Sequence, residues 1–248
     1  MKLSIYGSPW NDLEEILRDF LLRASSSNGG VIYIISPWIS DIPLDQMLIY
    51  HPRLMCNSVL EALKQLRIFF KVKVVTRCYD DRISPAKLYT ANLLVQEIKN
   101  KRSSALVTIL GEVVEDLMKA VESIRMIRAL IADNIEVRFL YNLHAKIYVS
   151  PIEALVGSAN LTISGIKSRS KYANSELLLR ISREDPIYEK ILHLAEQYFK
   201  IGVNEEECVK NLLKKINETL SEFGSRFNNL HEIEAFIDNL RELYLRSM

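Results

Sequence analysis

The sequence predicts an α/β protein, a mixed β-sheet flanked by helices with a helical C-terminal extension. Three observations predict it. Short β-branched runs recur between segments of helical period. Tyr141 to Gly165 reads as strand, turn and strand, and the chain beyond Asp185-Pro186 is helical in pattern. At 248 residues, with 48% apolar and 25% charged, the chain can bury a full core of ordinary globular composition.

Asn11 to Arg23 carries Leu13, Ile16, Leu17, Phe20 and Leu21 at helical spacing, with Asn11 or Asp12 as N-cap. The polar run Ala24 to Gly30 ends that helix. Val31 to Ile35 is a continuous β-branched and aromatic run, the mark of a strand buried on both faces. Ser36-Pro37-Trp38-Ile39-Ser40-Asp41 follows, and Trp38 either lines a substrate groove at the strand end or packs under a loop. Ser58 to Phe69 reads as a second helix and Lys71 to Thr76 as a second strand. Ligands of open α/β sheets gather beyond strand ends. Arg77 and Arg82, just past this strand, are therefore candidates to contact a phosphate backbone; a salt-bridged surface loop is the other reading. Asp80 and Asp81 make a poor metal pair, because adjacent side chains rarely converge and no His or Glu set accompanies them.

Ser84 to about Asp133 is mainly helical, with Pro85 suited to a first turn and a basic break at Lys99 to Ser104. Ile135 to Leu140 is the third strand. Two apolar runs then flank Ser150-Pro151, Ala145 to Val149 and Ala154 to Val156. Side chains alternate along a strand, so His144 and Lys146 project from one face. Gly157-Ser158-Ala159-Asn160 falls where the following strand ends. A titratable ring, a fixed cation, a hydroxyl and an amide together suit a tetrahedral oxyanion such as phosphate. Ser175 to Ile181 is the last strand and carries Glu176. Helices follow at Ile187 to Phe199, Glu205 to Phe223 and His231 to Leu245. Their apolar stripes need a surface, either the main domain or another subunit or protein partner.

At the central stretch the sequence resembles the phospholipase D superfamily, whose signature is HxK, four residues, Asp, six residues, then GSxN. His144-Ala145-Lys146 and Gly157-Ser158-Ala159-Asn160 match its two ends, and Asn174-Ser175-Glu176 resembles the downstream NxE element. Pro151 stands where the family's Asp falls, and the interval from Lys146 to Gly157 is one residue shorter. That Asp mainly supports the turn and its neighbouring backbone. The resemblance implies a catalytic domain over residues 1–184, with 84–122 as a helical insertion and 185–248 as the extension. It implies that His144 attacks phosphorus, that Glu176 accepts from the other ring nitrogen, and that Lys146 and Asn160 hold the non-bridging oxygens with help from Ser158. The intermediate is a phosphohistidine and neither metal nor other cofactor is required. A second imidazole must protonate the leaving oxygen. Family members with one motif obtain it by pairing two subunits about a two-fold axis, so a homodimer is expected. His51, His193 and His231 read as structural or surface residues.

The expected function is a metal-independent phosphodiesterase, an endonuclease on DNA or RNA. The alternatives are a catalytically weak nucleic-acid-binding module of the same fold, or a phospholipid phosphodiesterase. Residues 185–248 hold eight Lys/Arg against twelve Asp/Glu, leaving 24 against 19 in residues 1–184. A basic body with an acidic tail fits nucleic acid, as it also fits ordinary solvated faces. No run of eighteen apolar residues and no basic–apolar–small N-terminal pattern occurs, so neither a membrane span nor a signal peptide is expected. Cys56, Cys78 and Cys208, odd in number and without metal spacing, read as reduced thiols of a cytoplasmic protein.

Overall fold

The computed structural model describes residues 3–7, 13–44, 54, 56–100, 103–167, 174–224 and 226–247. In chain order its elements begin with β1 (Leu3–Gly7), α1 (Leu13–Ser25), β2 (Val31–Ile35), α2 (Val59–Leu66) and β3 (Lys71–Arg77). Next come α3 (Pro85–Asn100), α4 (Ser104–Ala132), β4 (Glu136–Leu140), β5 (Ile147–Val149) and β6 (Glu153–Gly157). The chain continues through α5 (Ile163–Ile166), β7 (Leu177–Ser182), α6 (Pro186–Ile201), α7 (Glu205–Leu220) and α8 (Leu230–Ser247). Two compact units result: Met1–Arg77 with Met126–Val203, and Cys78–Arg125 with Asn204–Met248.

The first unit is built on one mixed sheet of order β1-β7-β6-β5-β2-β3-β4. β2, β3 and β4 run parallel, whereas β5 is antiparallel to β2, β6 to β5 and β7 to β6. This pairing has a consequence for function. The C-terminal ends of β2, β3, β4 and β6 and the N-terminal ends of β5 and β7 all fall at one end of the sheet, where ligands of open α/β sheets collect.

Both faces of the central strands are buried, as the β-branched runs require. On one face Tyr33, Ile35, Val75, Ile147, Val149, Ala154 and Ile181 form a core with Tyr188 and Ala195 of α6. On the other, α1 packs where Arg180 of β7 donates to Ile16 O and pairs with Asp19 at 2.7 Å. Glu153, only 1% exposed, lies between Arg180 and Arg23, 3.5 Å from each. Its carboxyl pKa is raised, chiefly by burial, with the two guanidinium groups opposing.

Three sequence readings change here. β1 is new: it pairs antiparallel with β7, from Leu3↔Ile181 to Gly7↔Leu177, at the sheet edge. Five residues with so little local turn chemistry signal a strand only once the partner is in place. α6, assigned from sequence to the C-terminal extension, belongs to the first unit. Tyr188, Ile191, Leu192, Ala195, Tyr198 and Phe199 make a stripe that covers the sheet. Glu176 lies just before β7 rather than inside it. The cap expected at Asn11 or Asp12 falls outside the described residues.

The second unit is helical. Cys78 to Arg125 and Asn204 to Met248 cluster together, with Leu88, Ala91, Leu117 and Val121 buried from the first segment and Leu212, Ile216, Ile233 and Ile237 from the second. Asn204 caps α7, its side chain accepting from Glu207 N at 2.9 Å, and Glu205, Glu206 and Glu207 fill the first turn. Among the described residues no helix is long and apolar enough to cross a membrane.

Candidate active site

Sheet polarity brings the motif residues together. Leu143, Ala145 and Ile147 face the core under α6, so alternation sends His144 and Lys146 the other way. The HxK segment precedes β5 instead of lying in it. The GSxN residues leave the C-terminal end of β6, and Glu176 enters β7 beside them. His144, Lys146, Gly157, Ser158, Asn160, Glu176 and Leu177 line one open pocket of about 500 Å³.

His144 is exposed and Lys146 only 5% exposed. The ammonium of Lys146 donates to His144 O at 2.8 Å and lies 3.3 Å from each ring nitrogen. Burial lowers its pKa, and Arg77 adds to the effect while Glu176 opposes it. Asn160 Oδ1 is buried without a hydrogen-bond partner among the described residues.

Ser158 is placed differently from the expectation that it would donate to phosphate. Its hydroxyl donates to Glu176 Oε2 and accepts from Leu177 N at 3.0 Å. Asn174 Nδ2 donates to Glu176 Oε1 at 3.2 Å. Both carboxylate oxygens are thus held, and Ser158 orients Glu176. The role of Asn174 was open to sequence through the NxE spacing; that of Leu177, an apolar wall 43% exposed, was not.

The turn that contains Pro151 is held by side-chain and backbone hydrogen bonds. Ser150 Oγ accepts from Glu153 N at 3.3 Å, Ser150 N donates to Glu153 O at 2.9 Å, and the Tyr188 hydroxyl donates to Ser150 O at 2.7 Å. Pro151 fixes its own φ within that turn. Replacing Ser150 with alanine is expected to cost about 1 kcal/mol, the usual worth of such a bond. In thermal melts this is a fall of about 2–4 °C, and an unchanged midpoint would remove Ser150 from this role.

Two of the three outlying candidates stay near the HxK segment. Arg77 Nε donates to Leu143 O at 2.6 Å, and its guanidinium lies 5.6 Å from the ring centroid of half-buried Trp38. Arg77 anchors the residue before His144, and neither it nor Trp38 lines the pocket. Arg82, expected to contact substrate, is 6% exposed in the second unit, where it donates to Ser123 Oγ; it too is absent from the pocket lining. Asp80 pairs with Lys215, and among the described residues no group of three His, Cys, Asp or Glu converges to hold a metal. His193 and His231 are exposed on α6 and α8, as expected of surface residues, and His51 lies outside the described residues.

Fold and pocket together define an α/β protein in which HxK and GSxN residues line one open pocket at the end of the sheet. Among solved structures the chain is similar to a phospholipase D family member, Nuc from Salmonella typhimurium. The identity is 14% over 82% of this chain and 96% of that one, with a TM-score of 0.47. It is similar to NucT from Helicobacter pylori at 15% identity over 81% and 94% of the two chains, TM-score 0.44. It is also similar to the phosphatidylserine synthase of Haemophilus influenzae at 11% identity, over 88% of this chain and 44% of that one, TM-score 0.43. No family model and no curated protein matches the sequence. These likenesses are distant, and the chemistry has to come from the pocket's own residues.

Proposed function

We propose that the chain is a phosphodiesterase of the phospholipase D type, an endonuclease on DNA or RNA that works through a phosphohistidine. One observation carries the reading: three separated segments, residues 144–146, 157–160 and 174–176, contribute to one pocket in the motif order HxK, GSxN, NxE.

In this mechanism a ring nitrogen of His144 attacks phosphorus, forming an N–P bond as the P–O bond to the leaving group breaks. Lys146 and Asn160 donate to the non-bridging oxygens, where charge grows, from positions fixed before reaction. Glu176, held by Ser158 and Asn174, accepts from the imidazole and orients it. A second imidazole gives its proton to the leaving oxygen, then takes one from the water that breaks the N–P bond. Among the described residues no other histidine lines the pocket, and His144 is exposed at it. In this reading the second imidazole is His144 of a two-fold partner, the arrangement that a single HxK motif in a phospholipase D-type chain implies.

Nucleic acid is favoured as substrate by the charge of the first unit, nineteen Lys/Arg against fifteen Asp/Glu, where the second has thirteen against sixteen. The test is cleavage of plasmid and single-stranded DNA or RNA in excess EDTA, with phospholipid vesicles in parallel. Persistent nucleic-acid cleavage is expected. Activity abolished by EDTA overturns the metal-independent mechanism, and cleavage confined to vesicles overturns the substrate. Salt-sensitive binding without cleavage selects the binding-module alternative.

A further inference from the structure

Asn160 is held from below by a buried hydrogen-bond network that the chemistry above does not use. Tyr148, 0% exposed, follows Lys146 by two residues and projects from the same face of the chain. Its hydroxyl donates to Ala159 O at 2.7 Å. Ser36, also 0% exposed, sits beyond the C-terminal end of β2; its Oγ accepts from Leu161 N at 3.0 Å and donates to Trp38 O at 2.7 Å. The residues on either side of Asn160 are thus each bound by a buried hydroxyl. Ser40 N donates to Leu161 O at 2.9 Å, and Thr162 N to Asn160 O at 2.8 Å. Gly165 completes the enclosure, since a Cβ there would stand 2.4 Å from Asn160 O.

We infer that Tyr148 and Ser36 are positioning residues, which act through Ala159 and Leu161 to fix the Asn160 carboxamide where it meets a bound phosphoryl oxygen. The inference rests on reading the pocket as a phosphate site. Tyr148 ties this loop to the segment that carries Lys146, and Ser36 ties it to β2. The two oxyanion donors, from distant parts of the sequence, are thereby kept in register. Preorganised donors lose effect when they shift by a fraction of an ångström. Burial raises the Tyr148 phenol above its ordinary pKa, so the O–H remains a donor throughout the neutral range.

A double-substitution cycle tests this, with two readouts, inorganic phosphate affinity by calorimetry and turnover of bis(p-nitrophenyl) phosphate. The variants are Tyr148→Phe, Ser36→Ala, Asn160→Ala and each hydroxyl variant combined with Asn160→Ala. Asn160→Ala is expected to weaken phosphate binding about tenfold, as loss of a hydrogen bond to a charged group does. Tyr148→Phe should weaken it several-fold, and the double variant should bind no worse than Asn160→Ala alone, because the hydroxyl acts only through the amide. A structural role predicts independent, additive losses, and additivity overturns the inference, as does Tyr148→Phe binding and turning over like the wild type. If Tyr148→Phe fails to fold, Ser36→Ala with Ser36→Thr as rescue carries the same cycle. Wild-type protein with coupled phosphate binding but no turnover would sink the catalytic reading and leave the positioning role standing. Absence of phosphate binding would overturn the inference outright.

Discussion

His144→Ala is expected to lower phosphodiester cleavage by about 10⁴-fold or more while leaving the melting temperature within a degree or two of wild type. In the proposed mechanism the rate loss is large because one residue type fills two roles. There His144 forms the N–P bond as nucleophile and, from the partner, serves as general acid and then base, a role worth about 10²–10⁴-fold by itself. The stability effect is small because the ring is exposed, and substitutions at exposed positions usually stay within about 0.5 kcal/mol. A rate assay beside a thermal melt separates the two. Undiminished cleavage by the variant removes His144 from the chemistry, whereas a collapsed melting transition makes it a structural residue.

Gly157→Ala is the second large effect, and here the loss is first of fold and then of function. A Cβ at Gly157 would stand 1.9 Å from Leu177 O and 2.8 Å from Leu177 C, both backbone atoms that cannot rotate away. The requirement is for space, at a point where β6 and β7 pair Gly157 with Leu178 and Ser158 N donates to Leu177 O at 2.9 Å. Relief comes only by spreading the two strands, which breaks those bonds and parts Ser158 from Glu176. Overpacking of this kind costs about 3 kcal/mol, a large share of the roughly 5–15 kcal/mol that holds a domain together. Urea titration should show the midpoint fall with the slope retained. A wild-type midpoint would mean that β6 and β7 are not packed as described.

The sheet strands that carry long β-branched runs, and the alternation that sends His144 and Lys146 one way, were legible because both signals are local. β1 was not: its strand character comes from β7, which lies far along the chain. The grouping of the second unit was hidden for the same reason, since residues 78–125 meet 204–248 only through tertiary packing of apolar stripes. At the site, the motif spacing identified the pocket residues but not the direction of their hydrogen bonds. That Ser158 serves Glu176, that Arg77 anchors Leu143, and that Ser150 and Tyr188 hold the turn around Pro151 are geometric facts with no pattern in the sequence. Arg82 followed a sound rule about strand ends and is nonetheless buried against Ser123, because the chain leaves the first unit at Arg77.

The most direct test of the central claim is to trap the covalent intermediate. Wild-type protein is mixed with an end-labelled oligonucleotide, quenched in alkali where a phosphoramidate survives, and analysed by denaturing electrophoresis and peptide mass spectrometry. The expected result is an acid-labile protein–nucleotide adduct on the peptide that contains His144, absent from His144→Ala. Continued turnover with no adduct, or an adduct on any other residue, would contradict it.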